Sequence, residues 1–290
     1  MTTFNNDFCL KNPNKFICNL CNYTCLYNRD YQRHLLTKKH KNNENAQNGP
    51  NFAQTMYCCK NCGHFLEHFD RNQNNMYSEE YVSSTYQDQE GIKKAFDRIN
   101  SLNHSESDNT GRVKYIDEFC KNYWKNDASN CLGLLDVGAG LGVFPFQMKK
   151  LGWECTAIDM DERLIEHHRE VVGIKSFCGD LRGQSSLGFY NLITFNKVLE
   201  HINNPVEVLA YAGQLLSNNG LIYLELPDGE AAAIEGKSRE EFLIGHVHVF
   251  SFSSFALLAQ KSGFQLICCE RIREPSTKYT LRGFMRKYSD

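Results

Sequence analysis

Three glycines at alternate positions, Gly138, Gly140 and Gly142, follow an apolar run of Leu134, Leu135 and Val137 that is interrupted by one carboxylate, Asp136. Without a Cβ, such residues let the backbone turn tightly and approach a ligand closely, and Ala139 between them adds little bulk. A pyrophosphate cradle wants its third glycine at position 143, which is valine here, so a dinucleotide is disfavoured. A second carboxylate, Asp159, ends the next apolar run, Cys155 to Ile158, 21 residues after Gly138. An acid placed there can accept hydrogen bonds from both ribose hydroxyls of an adenosyl group. Met160 follows it, Gly179-Asp180 closes a third run (Ile174 to Phe177), and Asn196-Lys197-Val198 closes a fourth (Leu192 to Phe195).

A different chemistry is encoded near the start of the chain. Cys18, Cys21, His34 and His40 follow the pattern C-x2-C-x12-H-x5-H. Two thiolates and two imidazoles make a closed tetrahedral zinc set, so Zn2+ there would be structural and take no part in a reaction. A module this small buries too little apolar surface to fold without its metal. The spacing resembles that of the C2H2 zinc fingers, which implies a ββα module over 14–42 with a helix from about Asn28. Further on, Cys59-Lys60-Asn61-Cys62-Gly63 is a single knuckle whose partner knuckle is missing. Cys18 and Cys21 could pair with it in a four-thiolate ribbon, His64 or His68 could complete a second site, or it is a metal-free remnant. The finger spacing ranks the ribbon last.

Residues 43–55 are Asn-rich, carry Gly49-Pro50 and lack apolar periodicity, which marks a linker. The segment 56–90 holds the lone knuckle and the tyrosines Tyr77, Tyr81 and Tyr86, candidates for a substrate pocket. From 91 to 290 the pattern alternates strands and helices. Seven strands are expected, the last two near Gln265 to Arg271 and Tyr279 to Met285. With 41% apolar and 23% charged residues the composition is that of an ordinary soluble protein. A formal net charge of −2 excludes a wholly basic nucleic-acid or membrane binder. Charge is uneven, however: residues 1–48 hold seven Lys and Arg against three acids. No run approaches the roughly 18 apolar residues of a membrane span, and the polar start is unlike a signal peptide. The expected location is cytoplasmic, with the nucleus as the alternative.

L-L-D-V-G-A-G-L-G, the acid at Asp159, Gly179-Asp180 and Y-N-L-I-T-F-N-K-V-L-E-H stand in the order and spacing of the class I S-adenosylmethionine-dependent methyltransferases, and the chain resembles that family from about residue 110 to 290. The lone knuckle and Tyr-rich segment are similar to the entry of a zinc-ribbon-bearing subgroup that acts on small molecules. The resemblance implies an α/β fold, a seven-stranded Rossmann-like sheet with helices on both faces and an antiparallel final hairpin. It further implies that Asp136 and the glycine loop hold the methionine part of S-adenosyl-L-methionine, with Asn196 and Val198 on the same edge. Asp159 would take the ribose, Met160 one face of adenine, and Asp180 its amino group.

Methyl transfer from a sulfonium needs alignment and, for some acceptors, a base. His246 and His248, two apart on an extended segment, can face one side, and one of this pair is the leading candidate for a catalytic or substrate-binding role. Glu225 is a further candidate, whereas Glu200 and His201 read as structural or cofactor-side. The chain has no Pro-Cys pair and no [DNS]-P-P-[FYW] motif after the fourth strand, which argues against cytosine-C5 and exocyclic-amine DNA methylation. The expectation is O- or C-methylation of a small molecule, possible acceptors including sugars and other metabolites. A nucleic-acid or protein methyltransferase targeted by the finger is the alternative, and an inactive binding protein on the same fold is a third.

Overall fold

A computed structural model describes residues 13–18, 23–25, 56–67, 88–125, 132–242 and 245–288. Cys21, His34 and His40 of the expected finger, the side chain of Cys18, the linker, His68 and the tyrosines Tyr77, Tyr81 and Tyr86 lie outside the described residues. No helix among the described residues is long and apolar enough to cross a membrane.

The chain runs β1 (Pro13–Cys18), β2 (Tyr23–Cys25), β3 (Met56–Cys59), β4 (Phe65–Glu67), α1 (Gln89–Asn100), α2 (Asp108–Tyr123), β5 (Gly133–Val137), α3 (Val143–Lys150) and β6 (Glu154–Asp159). It continues through α4 (Glu162–His167), β7 (Lys175–Cys178), β8 (Tyr190–Asn196), α5 (Pro205–Gln214), β9 (Leu216–Pro227) and α6 (Gly229–Glu235). The last elements are β10 (His248–Val249), α7 (Phe252–Lys261), β11 (Phe264–Arg273) and β12 (Tyr279–Lys287). Seven strands form one sheet in the order β11-β12-β9-β8-β5-β6-β7. The five from β5 to β9 pair in parallel, and β12 lies antiparallel between β9 and β11, which is the sheet and final hairpin the sequence predicts.

Period-two alternation assigns each strand residue to one of two cores. Leu135, Val137, Ile193, Phe195, Ile222 and Leu224 share a face with Leu209 and Ala212 of α5 and Phe255 and Leu258 of α7. Leu134, Leu192, Leu221 and Tyr223 face the other way, onto Ile116 and Cys120 of α2 and Phe144 and Met148 of α3. Burial of a side chain such as Leu134 or Leu135 contributes about 1.5–3 kcal/mol, so β5 is anchored from both sides. It is also the strand at which the order reverses, with β6 on one flank and β8 on the other. A crevice opens at the carboxyl ends of strands at such a point.

The second sheet has the order β10-β4-β3-β1-β2. It joins the 56–67 hairpin to the 91–290 region through the pairs His248↔Leu66 and Val249↔Phe65. Phe65 packs with Phe242 and Val249 and lies over Gly229, where a Cβ would fall 2.5 Å from its Cδ2. The Cys59–Cys62 knuckle is a tight turn, with Gly63 at φ 67 and Gly63 N–H donating to Cys59 O at 2.8 Å. β1 pairs with β3 in the register Pro13↔Cys59 and Phe16↔Tyr57. The ribbon arrangement involves the Cys18 side chain and Cys21, which lie outside the described residues.

His64 does not complete a second metal site with the knuckle, because both its nitrogens are engaged elsewhere. His248 Nε2 lies 3.4 Å from Asn203 O, and since a carbonyl only accepts, the proton of His248 is on Nε2. His248 Nδ1 then accepts from His64 Nε2–H at 3.0 Å, and His64 Nδ1 accepts from the Ser254 hydroxyl at 3.2 Å. Burial, with His248 adding to it, holds His64 well below the ordinary histidine range, and burial pushes His248 down to about 4.

Both rings are neutral when docked, so undocking below about pH 6.5 takes up protons, and acid favours the undocked hairpin. For His248 alone the effect reaches on the order of 3 kcal/mol near pH 4. Glu67, pushed up to about 7 by burial, works in the opposite sense, since its protonated form docks more readily. In a Glu67→Gln chain, amide exchange of residues 56–59, corrected for intrinsic rate, should therefore accelerate relative to β5 as pH falls from 6.5 towards 4. Protection that stays level across this range would rule out the histidine clamp.

Candidate active site

The glycine loop leaves β5 with Gly138, Gly140 and Gly142 at φ 70, 53 and 71, all left-handed. A Cβ on Gly138 would fall 2.5 Å from Val198 Cγ2, and one on Gly142 would fall 2.9 Å from His168 Cδ2, whereas at Gly140 nothing stands within 4 Å. The two outer glycines are therefore required by packing behind the loop. The middle one leaves an open cradle that a side chain would fill. Gly140 N–H donates to Asp159 Oδ2 at 2.8 Å, and His168 Nε2–H donates to Gly140 O at 2.7 Å. The second Asp159 oxygen accepts from Asp161 N–H at 3.1 Å, and the Met160 backbone N–H also bonds this carboxylate, so it is fixed in orientation. Burial raises its pKa against these backbone donors.

At the neighbouring strand ends, Asp136 Oδ1 accepts from Thr194 Oγ1 at 2.7 Å and from Asn196 Nδ2 at 2.8 Å. Burial nevertheless pushes the Asp136 carboxyl up to about 7, against those two donors and the charge of Arg112. Asn196 Oδ1 is buried and without a hydrogen-bond partner. A buried carbonyl oxygen of this kind is costly unless a donor reaches it. Lys197, the next residue, is a non-glycine at φ 60; its Nζ is held by Glu274 Oε2 at 2.6 Å.

The structure gathers Asp136, Gly138, Ala139, Gly140, Gly142, Asp159, Asn196 and Val198 at the carboxyl ends of β5, β6 and β8. Met160 lies beside Asp159 and is 72% exposed. Asp180 follows β7, where Arg182 binds its two oxygens at 3.0 and 2.7 Å and, against burial, holds its carboxylate low. The orphaned Asn196 oxygen, the open cradle and the two oriented carboxylates suit a ligand with a cationic amino-acid end and a ribose. The chain thus meets the requirements of S-adenosylmethionine.

The acceptor side departs from the sequence expectation. His248 is engaged at both nitrogens, Nδ1 by His64 and Nε2 by Asn203 O, so it is withdrawn as a catalytic candidate. His246 is buried, donates Nδ1–H to Glu241 O at 2.8 Å, and is pushed down to about 4 by burial with His201 adding to it. Its ring meets that of His201 edge-on, centroids 4.9 Å apart. Glu200, expected to be structural, is 1% exposed, has Oε2 without a partner, and is pushed up to about 8 by burial. Ligand atoms of Glu200, His201 and His246 lie within 4.8 Å of one another. Glu225 is unsuited as a base: Arg112 Nη2 bonds its Oε2, Tyr223 O–H donates to its Oε1 at 2.7 Å, and Arg112 holds its carboxylate low against burial.

Sequence reasoning missed Arg112, His168 and Thr194. Thr194 had a signal, since it sits two before Asn196 on the same face of one strand. Arg112 and His168 had none.

The profile of the family described as Methyltransferase domain matches residues 117–268. A ubiquinone biosynthesis O-methyltransferase of Shewanella halifaxensis is 23% identical over 151 residues, covering 50% of this chain and 58% of that protein. A protein of the same name from Nitrosococcus oceani is 28% identical over 153 residues, covering 50% and 57%. The chain thus spans just over half the length of these curated relatives. Among solved structures, the magnesium protoporphyrin IX methyltransferase of Synechocystis PCC 6803 with bound SAH superposes with a TM-score of 0.51 at 14% identity, covering 72% of this chain and 100% of that one. The 1,6-didemethyltoxoflavin-N1-methyltransferase of Burkholderia thailandensis gives 0.51 at 14% identity, covering 78% and 96%. These two show a shared fold. With the family match extending over more than half of its length, the chain belongs to the methyltransferase-domain family and carries a class I S-adenosylmethionine-dependent methyltransferase domain.

Proposed function

We propose that this chain transfers a methyl group from S-adenosylmethionine to an oxygen of a small hydroxyl-bearing molecule. One juxtaposition carries the reading: the cradle at Gly140 is bordered by Asp159 and the orphaned Asn196 oxygen, and β8 runs on from Asn196 directly into Glu200 and His201. The curated relatives are named as O-methyltransferases, which favours oxygen over carbon.

When bound, the cofactor supplies a methyl group already activated on a sulfonium. Asp159 accepts the ribose hydroxyls, Asp136 and Asn196 meet the methionine end, and Met160 and Asp180 meet the adenine. Val198, pressed against Gly138, sets how closely the β8 end approaches the loop. The acceptor lies against Glu200, His201 and His246, where its hydroxyl gives its proton to His246 Nε2. Its oxygen forms the C–O bond in line as the C–S bond breaks, the bonding pair leaving on sulfur.

The finger pattern at Cys18, Cys21, His34 and His40 supports a structural zinc. It also supports a second reading, delivery to a nucleic-acid or protein substrate, favoured by the basic balance of residues 1–48. Salt-dependent RNA or DNA binding that vanishes on Cys18→Ser would favour that reading. In the full chain, Cys18→Ser should release one zinc and leave cofactor affinity nearly unchanged. A zinc content equal to that of the parent would refute the assignment.

Two results are expected from calorimetry with the cofactor. Asp159→Ala removes charge-assisted hydrogen bonds of about 1.5–3 kcal/mol each and should weaken binding by roughly 100-fold or more. The second concerns Asp136, whose carboxyl stands at about 7 without ligand. A cationic ligand draws it into the ionised form, so affinity should fall as pH drops below 7, by up to tenfold per unit, with proton release on binding. Affinity that is level between pH 7 and 5.5 would remove Asp136 from the site.

A further inference from the structure

We infer that His168 is a positioning residue for the cofactor: it fixes the peptide between Gly140 and Leu141 so that Leu141 N–H faces the carboxylate of the methionine end. The loop's other amides are already committed. Gly138 N–H and Ala139 N–H both donate to Ile158 O, at 2.8 and 3.1 Å, and Gly142 N–H donates to Ala139 O at 2.9 Å. Gly140 N–H is taken by Asp159 Oδ2 at 2.8 Å. Among the described residues Leu141 N–H is left without an acceptor, in a residue that is 7% exposed. A backbone donor in such a place is costly until something accepts from it.

Where this donor points is decided at the other end of its peptide. His168 Nε2–H donates to Gly140 O at 2.7 Å, and in a trans peptide the N–H points opposite to the carbonyl. Leu141 N–H is therefore turned away from His168, towards the open side of the loop, where nothing stands within 4 Å of a Cβ built on Gly140. The Leu141 side chain is anchored with Ile92 of α1 and Leu164 of α4, which keeps it out of the cradle. Asp136 and the orphaned Asn196 oxygen offer acceptors to the amino-acid end of the ligand and suit its ammonium group. Its carboxylate needs a donor, and the loop has this one left to give.

The backbone departs from a regular helix where this ring meets the loop. α4 ends at His167, and the chain then widens into a π turn, His168–Val172, closed by Gly173 N–H donating to His168 O. Widened turns of this kind are frequent at functional positions. The ring lies against Gly142, where a Cβ would fall 2.9 Å from its Cδ2, and its Nδ1 is buried with no partner. Since the Gly140 carbonyl only accepts, the proton is on Nε2. A second proton, on Nδ1, would find no acceptor, and burial holds the ring below the ordinary histidine range. Packing alone would be met by an apolar side chain of the same bulk, without a nitrogen donor at this point.

The test is calorimetry on the full chain with two ligands, S-adenosylhomocysteine and methylthioadenosine, the second lacking the amino-acid end. His168→Leu keeps the bulk and removes the donor. It should weaken S-adenosylhomocysteine binding roughly tenfold or more and methylthioadenosine binding by no more than about twofold. His168→Gln, whose amide nitrogen can take the place of Nε2, should restore most of the loss. Equal weakening of both ligands, parental affinity in the leucine variant, or a glutamine variant no better than the leucine one would overturn the inference. If the leucine variant fails to fold, nitrogen NMR of the unmodified chain decides. The His168 proton is expected on Nε2, and the Leu141 amide proton should move downfield with S-adenosylhomocysteine and stay in place with methylthioadenosine; the opposite tautomer or an unmoved Leu141 amide would count against the assignment. The inference rests on the cofactor reading. An unmodified chain that binds neither ligand removes that reading and this one together, whereas binding of both without discrimination at His168 removes this one alone.

Discussion

The hydrogen bond from Gly140 N–H to Asp159 Oδ2, at 2.8 Å, ties the loop after β5 to the end of β6 and gives the site its shape. A loop with three left-handed residues in five positions has many alternatives. Asp159 selects one from the front, and His168 holds the same residue from behind through its carbonyl. The outer glycines are closed off by Val198 and His168, so the only free space along the loop is at Gly140. In the proposed reading the same carboxylate that shapes the cradle also takes the ribose, so that loop geometry and cofactor binding would share one side chain.

Buried charge supports this arrangement from the β8 and β9 side. Glu225 is paired with Arg112, and Lys197 is paired with Glu274. Removing one member of such a pair leaves an uncompensated buried ion, typically costing 3–5 kcal/mol. The Lys197 pair sits where a non-glycine residue is held at φ 60. A left-handed residue of this type costs about 1–2 kcal/mol. It turns the chain sharply from Asn196 into Val198 and on to Glu200.

The hairpin of β3 and β4 is bound into the same construction. His64 reaches His248, and two residues before His248 lies His246, whose ring meets that of His201. The short strand β10 therefore has the hairpin on one side and His246 two residues before its start. Order in the hairpin is linked physically to the position of His246, because both depend on the backbone of residues 246–249.

Much of this was legible in the sequence because it depends on local pattern. The apolar runs specified the strands, the three glycines marked the turn, and the spacing from Gly138 to Asp159 pointed to the acid that meets the glycine loop, since strand, turn and helix lengths vary little in such a unit. Side-chain partners across the fold were not legible. His248 looked like a base from its neighbourhood, and only the tertiary structure brought it to His64, 184 residues away. Glu225 met Arg112 across 113 residues, which turned a candidate base into half of an ion pair. Glu200 looked like a family-typical structural acid, and its orphaned oxygen next to His201 and His246 became apparent only once three separate backbones were placed. Periodicity is written into neighbouring residues, whereas proton location and ion pairing are decided by whichever groups long-range packing brings within about 3 Å.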